Sequence, residues 1–227
     1  MDFERPLTGA EWSQYINYVA RRGQHEPLAY ILGEKEFMRN SFKVTPATLV
    51  PRPETELLVE SLIKAARGLK ADGDVKILDI GTGSGAIIVS LLDYLPNAKG
   101  VGVDISVDAL IVADENSRRF GVRERAGFMQ SDLFSRIPAD KKFDIIVSNP
   151  PYIPAADIAG LAKDVQKEPL GALDGGADGL DFYRRIICEA MDHMTDEGIL
   201  AFEVGINQAQ VVAELCRKAG FKATAIR

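Results

Sequence analysis

The sequence predicts an α/β fold: a largely parallel sheet with helices on both faces, preceded by a short helix and a β-hairpin. Three observations carry this. From residue 75 onward, short apolar strands alternate with amphipathic runs of helical length. A glycine-rich turn, Gly81-Thr82-Gly83-Ser84-Gly85, follows the first of those strands and opens a helix. The chain has 227 residues, 46% hydrophobic and 26% charged, which suits a single globular core with at most a small appendage.

Trp12, Ile16 and Val19 recur at helical spacing and Gly23 stops the pattern, predicting a helix over residues 8–22. Between residues 34 and 50, Phe37, Phe42 and Val44 stand among polar neighbours, as in a short hairpin. Pro51-Arg52-Pro53 breaks it. Pro53 suits the first position of a helix, with Glu54 and Glu56 at its positive end. Strands are expected at 75–80, 100–103, around Phe128, and at 143–148, 199–204 and 221–226. Helices are expected near 86–95, 107–120, 179–194 and 206–219. Residues 150–177, rich in Pro and Gly, form a long loop at the carboxyl end of a strand, where ligands bind in open α/β sheets.

Composition excludes several classes. The formal net charge is −6, from 33 acidic and 27 basic residues, and nucleic-acid binders usually carry a basic excess. The cluster Arg118, Arg119, Arg123 and Arg125 reads as a solvated helix end. Two cysteines, Cys188 and Cys216, make no disulfide framework, and two distant histidines, His25 and His193, make no metal cluster. No apolar run is long enough for a bilayer, and the charged first thirty residues do not resemble a signal peptide. The expectation is a cytoplasmic protein with no membrane contact and no metal.

The glycine turn fits two cofactor types. As Gly81-x-Gly83-x-x-Ala86 it matches a dinucleotide fingerprint, and as Asp79-x-Gly81-x-Gly83-x-Gly85 it matches an S-adenosylmethionine loop. Asp104, at the tip of the next strand, suits the hydroxyls of a ribose in either case. Asp79 favours the second reading, since a carboxylate repels pyrophosphate and attracts a sulfonium and an ammonium. Asp132, after the third strand, stands where an acid can meet an adenine amine.

The most specific element is Asn149-Pro150-Pro151-Tyr152, directly after the strand 143–148. Two prolines stiffen the loop and remove two backbone donors. The Asn149 side-chain carbonyl and the Pro150 backbone carbonyl can together take both hydrogens of a planar –NH₂, while Tyr152 packs against its plane. Such an amino group is a poor nucleophile because its lone pair is delocalised. Two acceptors aimed at its hydrogens favour the pyramidal transition state over the planar ground state. Attack on a sulfonium methyl then needs positioning more than a general base.

With these residues in hand, the chain resembles the protein-(glutamine-N5) methyltransferases that modify peptide chain release factors. The resemblance runs from Glu26-Pro27-Leu28-Ala29-Tyr30-Ile31-Leu32-Gly33 through Leu49-Val50-Pro51-Arg52-Pro53-Glu54-Thr55-Glu56, the loop 79–85 and the Asn149–Tyr152 motif. It continues in Glu168-Pro169 and Glu203-Val204-Gly205 with Gln208. It implies a Rossmann-like class I S-adenosylmethionine-dependent methyltransferase with S-adenosyl-L-methionine as cofactor and release factors as protein partners. Asp79, Gly81, Thr82, Gly83, Ser84, Gly85, Asp104, Asp132, Leu133 and Asn149 would hold the cofactor, with Leu133 flanking the adenine. Asn149, Pro150, Pro151 and Tyr152 would hold the glutamine of a Gly-Gly-Gln loop. Arg52, Glu54 and Thr55 would border the pocket.

The resemblance also implies a domain division. Residues 1–25 would be the remnant of a helical docking domain, 26–52 a linker and hairpin, and 53–227 the catalytic domain without the family's final antiparallel strand. Two other functions compete. An amino-methyltransferase on a nucleic-acid base shares the Asn149 motif, but base flipping usually takes an added recognition domain and basic surface. A catalytically idle binding module has no need of the intact Asn149–Tyr152 run.

Overall fold

Five parallel strands form the central sheet of the computed structural model, which describes residues 5–69 and 74–226. They are β3 (Val75–Ile80), β4 (Ala98–Asp104), β5 (Ala126–Gln130), β6 (Phe143–Ser148) and β7 (Met194–Phe202), in the spatial order β5-β4-β3-β6-β7. An antiparallel hairpin, β1 (Glu34–Phe37) and β2 (Asn40–Lys43), stands apart from the sheet. The helices are α1 (Gly9–Gly23), α2 (Leu28–Leu32), α3 (Pro53–Leu69), α4 (Ala86–Tyr94), α5 (Val107–Arg119), α6 (Asp181–Ala190) and α7 (Ala209–Lys218).

The period of two along each strand divides the core. Ile77, Ile145 and Val147 face α3 and α4, together with Val59, Leu62, Ile88, Leu91 and Leu92. Leu78, Ile80 and Ile146 face the other side, against Ile186 and Ala190 of α6 and Phe134. Tyr183 of α6 meets Phe202 edge-on, with ring centroids 5.3 Å apart, and α7 adds Val212 to that cluster. Burial on both faces makes β6 apolar or satisfied throughout. Its single acid, Asp144, accepts from the Lys76 amide at 2.9 Å and the Thr195 hydroxyl at 3.1 Å.

The strand order reverses between β3 and β6, since β4 and β5 lie to one side and β6 and β7 to the other. That switch point opens a crevice at the carboxyl ends of the strands. The glycine turn leaves β3 there, and the Asn149 motif leaves β6.

The hairpin turn places Met38 and Arg39 at φ 50° and 64°, the primed turn geometry that matches strand twist. Glu56 of α3 accepts from the Met38 amide at 2.9 Å. Buried Asn116 of α5 accepts from the Lys43 amide at 2.9 Å and donates to the Lys43 and Ser84 carbonyls at 3.0 and 2.8 Å. One side chain thus joins the hairpin to the glycine turn.

Helix α1 starts where the periodicity puts it, with a Thr8–Glu11 capping box. It buries no residue, and Trp12, Tyr15, Ile16 and Val19 are exposed. Arg21 pairs with Glu26, and Arg22 reaches Asp164 at 3.1 Å.

Three expectations need correction. Helix α2 escaped the periodicity because five residues are too few to show it. Strand β7 spans Met194–Phe202 rather than the expected 199–204, because its first half carries Thr195 partly buried and Asp196 and Glu197 exposed, so the apolar run marks only its second half. Residues 221–226 form no strand. Phe221 packs into the core near α6 and α7, but the segment finds no ladder for its amides, and apolar alternation without a partner strand does not fix an extended chain.

Candidate active site

A cavity of about 510 Å³ opens at the switch point. Its floor is the glycine turn. Gly81, Gly83 and Gly85 have φ of 70°, 54° and 78°, left-handed values that β-carbons disfavour. At Gly81 and Gly83 a Cβ would meet nothing within 4 Å, so there the backbone conformation alone requires glycine. Gly85 also faces packing, because a Cβ would come within 3.1 Å of the Ala113 Cβ on α5. Gly81, Thr82, Gly83 and Ser84 line the cavity, whereas Gly85 sits below it as the N-cap of α4.

Asp104 ends β4 and lines the same cavity. Its Oδ2 accepts from the Gly83 amide and its Oδ1 from the Ser106 amide, both at 2.9 Å. Burial raises its carboxyl above the ordinary range, and these amides oppose the rise. Each oxygen keeps a further lone pair for a ligand hydroxyl.

Asp79 lies elsewhere than expected. It is fully buried beneath the turn and is not part of the cavity wall. Its Oδ2 accepts from the Thr82 hydroxyl at 2.7 Å, and Thr82 is what the cavity meets. Its Oδ1 is buried with no hydrogen-bond partner among the described residues. Burial pushes this carboxyl up to about 7, against the pull of the Thr82 hydroxyl. An under-compensated carboxylate below the floor fits a cationic ligand and disfavours pyrophosphate. The residues present therefore fit S-adenosylmethionine better than a dinucleotide.

Asp132 and Leu133 line the far wall. The Asp132 carboxylate is half-exposed and pairs with Arg185 of α6 at 2.7 Å. Leu133 is buried at φ 50°, a strained value for a branched side chain, and its carbonyl accepts from the Ser131 hydroxyl at 2.8 Å.

The Asn149 motif forms the opposite wall. Ser148 donates its hydroxyl to the Ile80 carbonyl at 2.7 Å, locking the ends of β3 and β6 together. Asn149, Pro150 and Pro151 line the cavity. Tyr152 lines a second cavity of about 250 Å³ with Ile153, Leu173 and Glu203. The two cavities share Leu49, Arg52, Asn149 and Ala172, so Asn149 stands at their junction. Gln208 secures the motif from behind, donating to the Tyr152 carbonyl at 2.9 Å and accepting from the Gly205 amide at 3.1 Å. Ile153 bridges to Asp174, which folds the loop 150–177 back on itself as a wall.

Arg52 and Thr55 line the first cavity, but Glu54 is exposed and lines neither. Arg52 pairs with Glu168, whose buried carboxylate also accepts from the Val50 amide at 2.9 Å. Thr55 is 4% exposed and donates to Glu203 Oε2 at 2.5 Å, while Asn149 Nδ2 donates to Thr55 Oγ1 at 3.4 Å. Burial raises the Glu203 carboxyl above its ordinary value, opposed by the hydrogen bonds from Thr55 and Asn149.

Sequence reasoning gave no role to Glu203 or Arg185. Glu203 had a readable signal, as an acid just past a strand end next to a motif-bearing strand. Arg185 had none, being one charge among several on an amphipathic helix. Among the described residues no cluster suited to a metal occurs and no helix is long and apolar enough to cross a membrane.

Known proteins resemble this chain along most of its length. A methyltransferase domain model matches residues 71–223, and a PrmC N-terminal domain model matches residues 1–33. The release factor glutamine methyltransferase of Geobacter sulfurreducens is 44% identical over 222 residues, covering 97% of this chain and 75% of its own. That of Moorella thermoacetica is 43% identical, covering 96% and 75%. Among solved structures, a methyltransferase from Pyrococcus furiosus shares the fold with a TM-score of 0.56 at 19% identity, over 94% of this chain and 88% of that one. On the strength of these matches and the class I architecture beneath them, this chain belongs to the release factor glutamine methyltransferase family.

Proposed function

We propose that this protein transfers a methyl group from S-adenosyl-L-methionine to the side-chain amide nitrogen of the glutamine in the Gly-Gly-Gln motif of peptide chain release factors. The observation that carries this reading is the position of Asn149 at the junction of a cofactor-sized cavity and a smaller side cavity. The cofactor supplies an electrophilic methyl on a sulfonium. The protein does the rest by placement. Gly81–Ser84 and Asp104 hold the cofactor on the floor, with Asp132 and Leu133 on the far wall. The Asn149 Oδ1 and the Pro150 carbonyl accept the two hydrogens of the glutamine amide, and Tyr152 packs beside it. These acceptors strengthen as the nitrogen pyramidalises, which lowers the barrier without a general base. Residues 1–25 serve in docking the release factor, and an enzyme with this substrate works in the cytoplasm.

The test is incubation with a purified release factor and S-adenosylmethionine, read by mass spectrometry of the Gly-Gly-Gln peptide. One added methyl on the glutamine supports the reading. An unmodified peptide, with methyl transfer to adenine-containing nucleic acid instead, refutes it.

A further inference from the structure

An asparagine amide has nearly the same shape in its two flipped orientations, so packing alone does not choose which end meets the substrate. At Asn149 the choice is made by charge. Glu203 is a carboxylate and only accepts. It takes the single hydroxyl proton of Thr55 at 2.5 Å. Thr55 Oγ1 is left as an acceptor, and Asn149 Nδ2 donates to it at 3.4 Å. The amide nitrogen is therefore turned to this pair and Oδ1 is turned away. The reversed amide would set Oδ1 against a carboxylate and its –NH₂ against the substrate –NH₂.

We propose that Glu203 and Thr55 are positioning residues that hold the Asn149 amide with its oxygen toward the substrate, so that the site presents an acceptor there and not a donor. This rests on the reading of Asn149 as an acceptor for the substrate amide. Both residues sit on firm supports. Thr55 lies in the first turn of α3, and the Glu203 amide donates to the Ser148 carbonyl at 3.1 Å, one residue before Asn149. Neither is needed to touch the reacting atoms.

The experiment is single-turnover methyl transfer to a purified release factor at saturating substrate, with S-adenosylhomocysteine binding measured on each variant. Glu203→Gln keeps the shape but can donate to Thr55 and reverse the chain. It should slow transfer on the order of tenfold, about 1.4 kcal/mol, with little change in S-adenosylhomocysteine affinity. Thr55→Val should fall similarly, and Thr55→Ser, which keeps the hydroxyl, should fall far less. Adding Glu203→Gln to Asn149→Ala should cause no further loss, because the residue it positions is gone. An equal loss in both backgrounds overturns the proposal. A near-wild-type rate for Asn149→Ala overturns the underlying reading of Asn149, and this inference with it. If Glu203→Gln no longer binds S-adenosylhomocysteine, the Thr55 pair decides, and equal rates for Ser and Val overturn the proposal.

Discussion

The Oδ2 atom of Asp104 accepts the backbone amide of Gly83 at 2.9 Å, tying the tip of β4 to the middle of the glycine turn that follows β3. The acid expected to hold a ribose is thus also the pin of the glycine turn that floors the proposed cofactor site. Asp104→Ala removes both functions. Calorimetry should show S-adenosylhomocysteine affinity reduced by roughly 1.5–3 kcal/mol for each charge-assisted hydrogen bond lost. Asp104→Asn, which can still accept from Gly83, should lose less. Unchanged affinity in the alanine variant would exclude Asp104 from the cofactor site.

At Asn149, truncation to alanine deletes one preorganised acceptor, and turnover should fall roughly 10²–10³-fold by analogy with a deleted oxyanion-hole donor. Aspartate keeps an acceptor but sets a second carboxylate against Thr55 and Glu203. Asn149→Asp should therefore be impaired alone and recover when combined with Glu203→Gln. Single-turnover rates for the single and double variants test this, and a double variant slower than Asn149→Asp would contradict it.

Glu168 holds the segment before α3 from across the cavity mouth, through Arg52 and the Val50 amide. Glu168→Ala leaves a half-buried guanidinium and a buried N–H without their acceptor. Stability should drop by roughly 1.5–3 kcal/mol, seen as a lower urea midpoint at unchanged m. A midpoint within error of wild type would show that the pair contributes nothing net.

Asp79 gives a pH dependence of defined sign. Its carboxyl is raised from 3.8 to about 7 by burial, so the folded chain holds the proton more tightly than the unfolded chain. Between those two values the unfolded state ionises first, and the cofactor-free protein loses stability as pH rises, until the loss is complete above about 7. Asp79→Asn does not titrate. The melting-temperature difference between wild type and Asp79→Asn should move in favour of the variant from pH 4 to pH 8, and a pH-independent difference would contradict the shift. Over the same window, S-adenosylmethionine should bind wild type more tightly as pH rises, because a cationic ligand favours the ionised acid.

Much of the molecule is decided by local pattern. The strands 75–80 and 143–148 stand where their apolar runs put them, α1 starts at its Thr8 cap and α3 at Pro53, because backbone preference and the burial period act over a few residues. The glycine turn is legible because left-handed φ admits little else. The Asn149 motif is legible because two prolines fix a chain without neighbours. What lies outside this reach is pairing between distant segments. Thr55 and Glu203 are 148 residues apart, and Arg52 and Glu168 are 116 apart. They meet only because the strand order sets β6 between β3 and β7, with α3 and the long loop closing over its end. The same dependence explains why residues 221–226 carry a strand pattern and form no strand, and why Asp79 sits below the floor instead of on it. A sequence fixes which backbone shapes each segment favours. Which acceptor stands opposite which donor is set by sheet register and crossing connections, and those are properties of the whole packed chain.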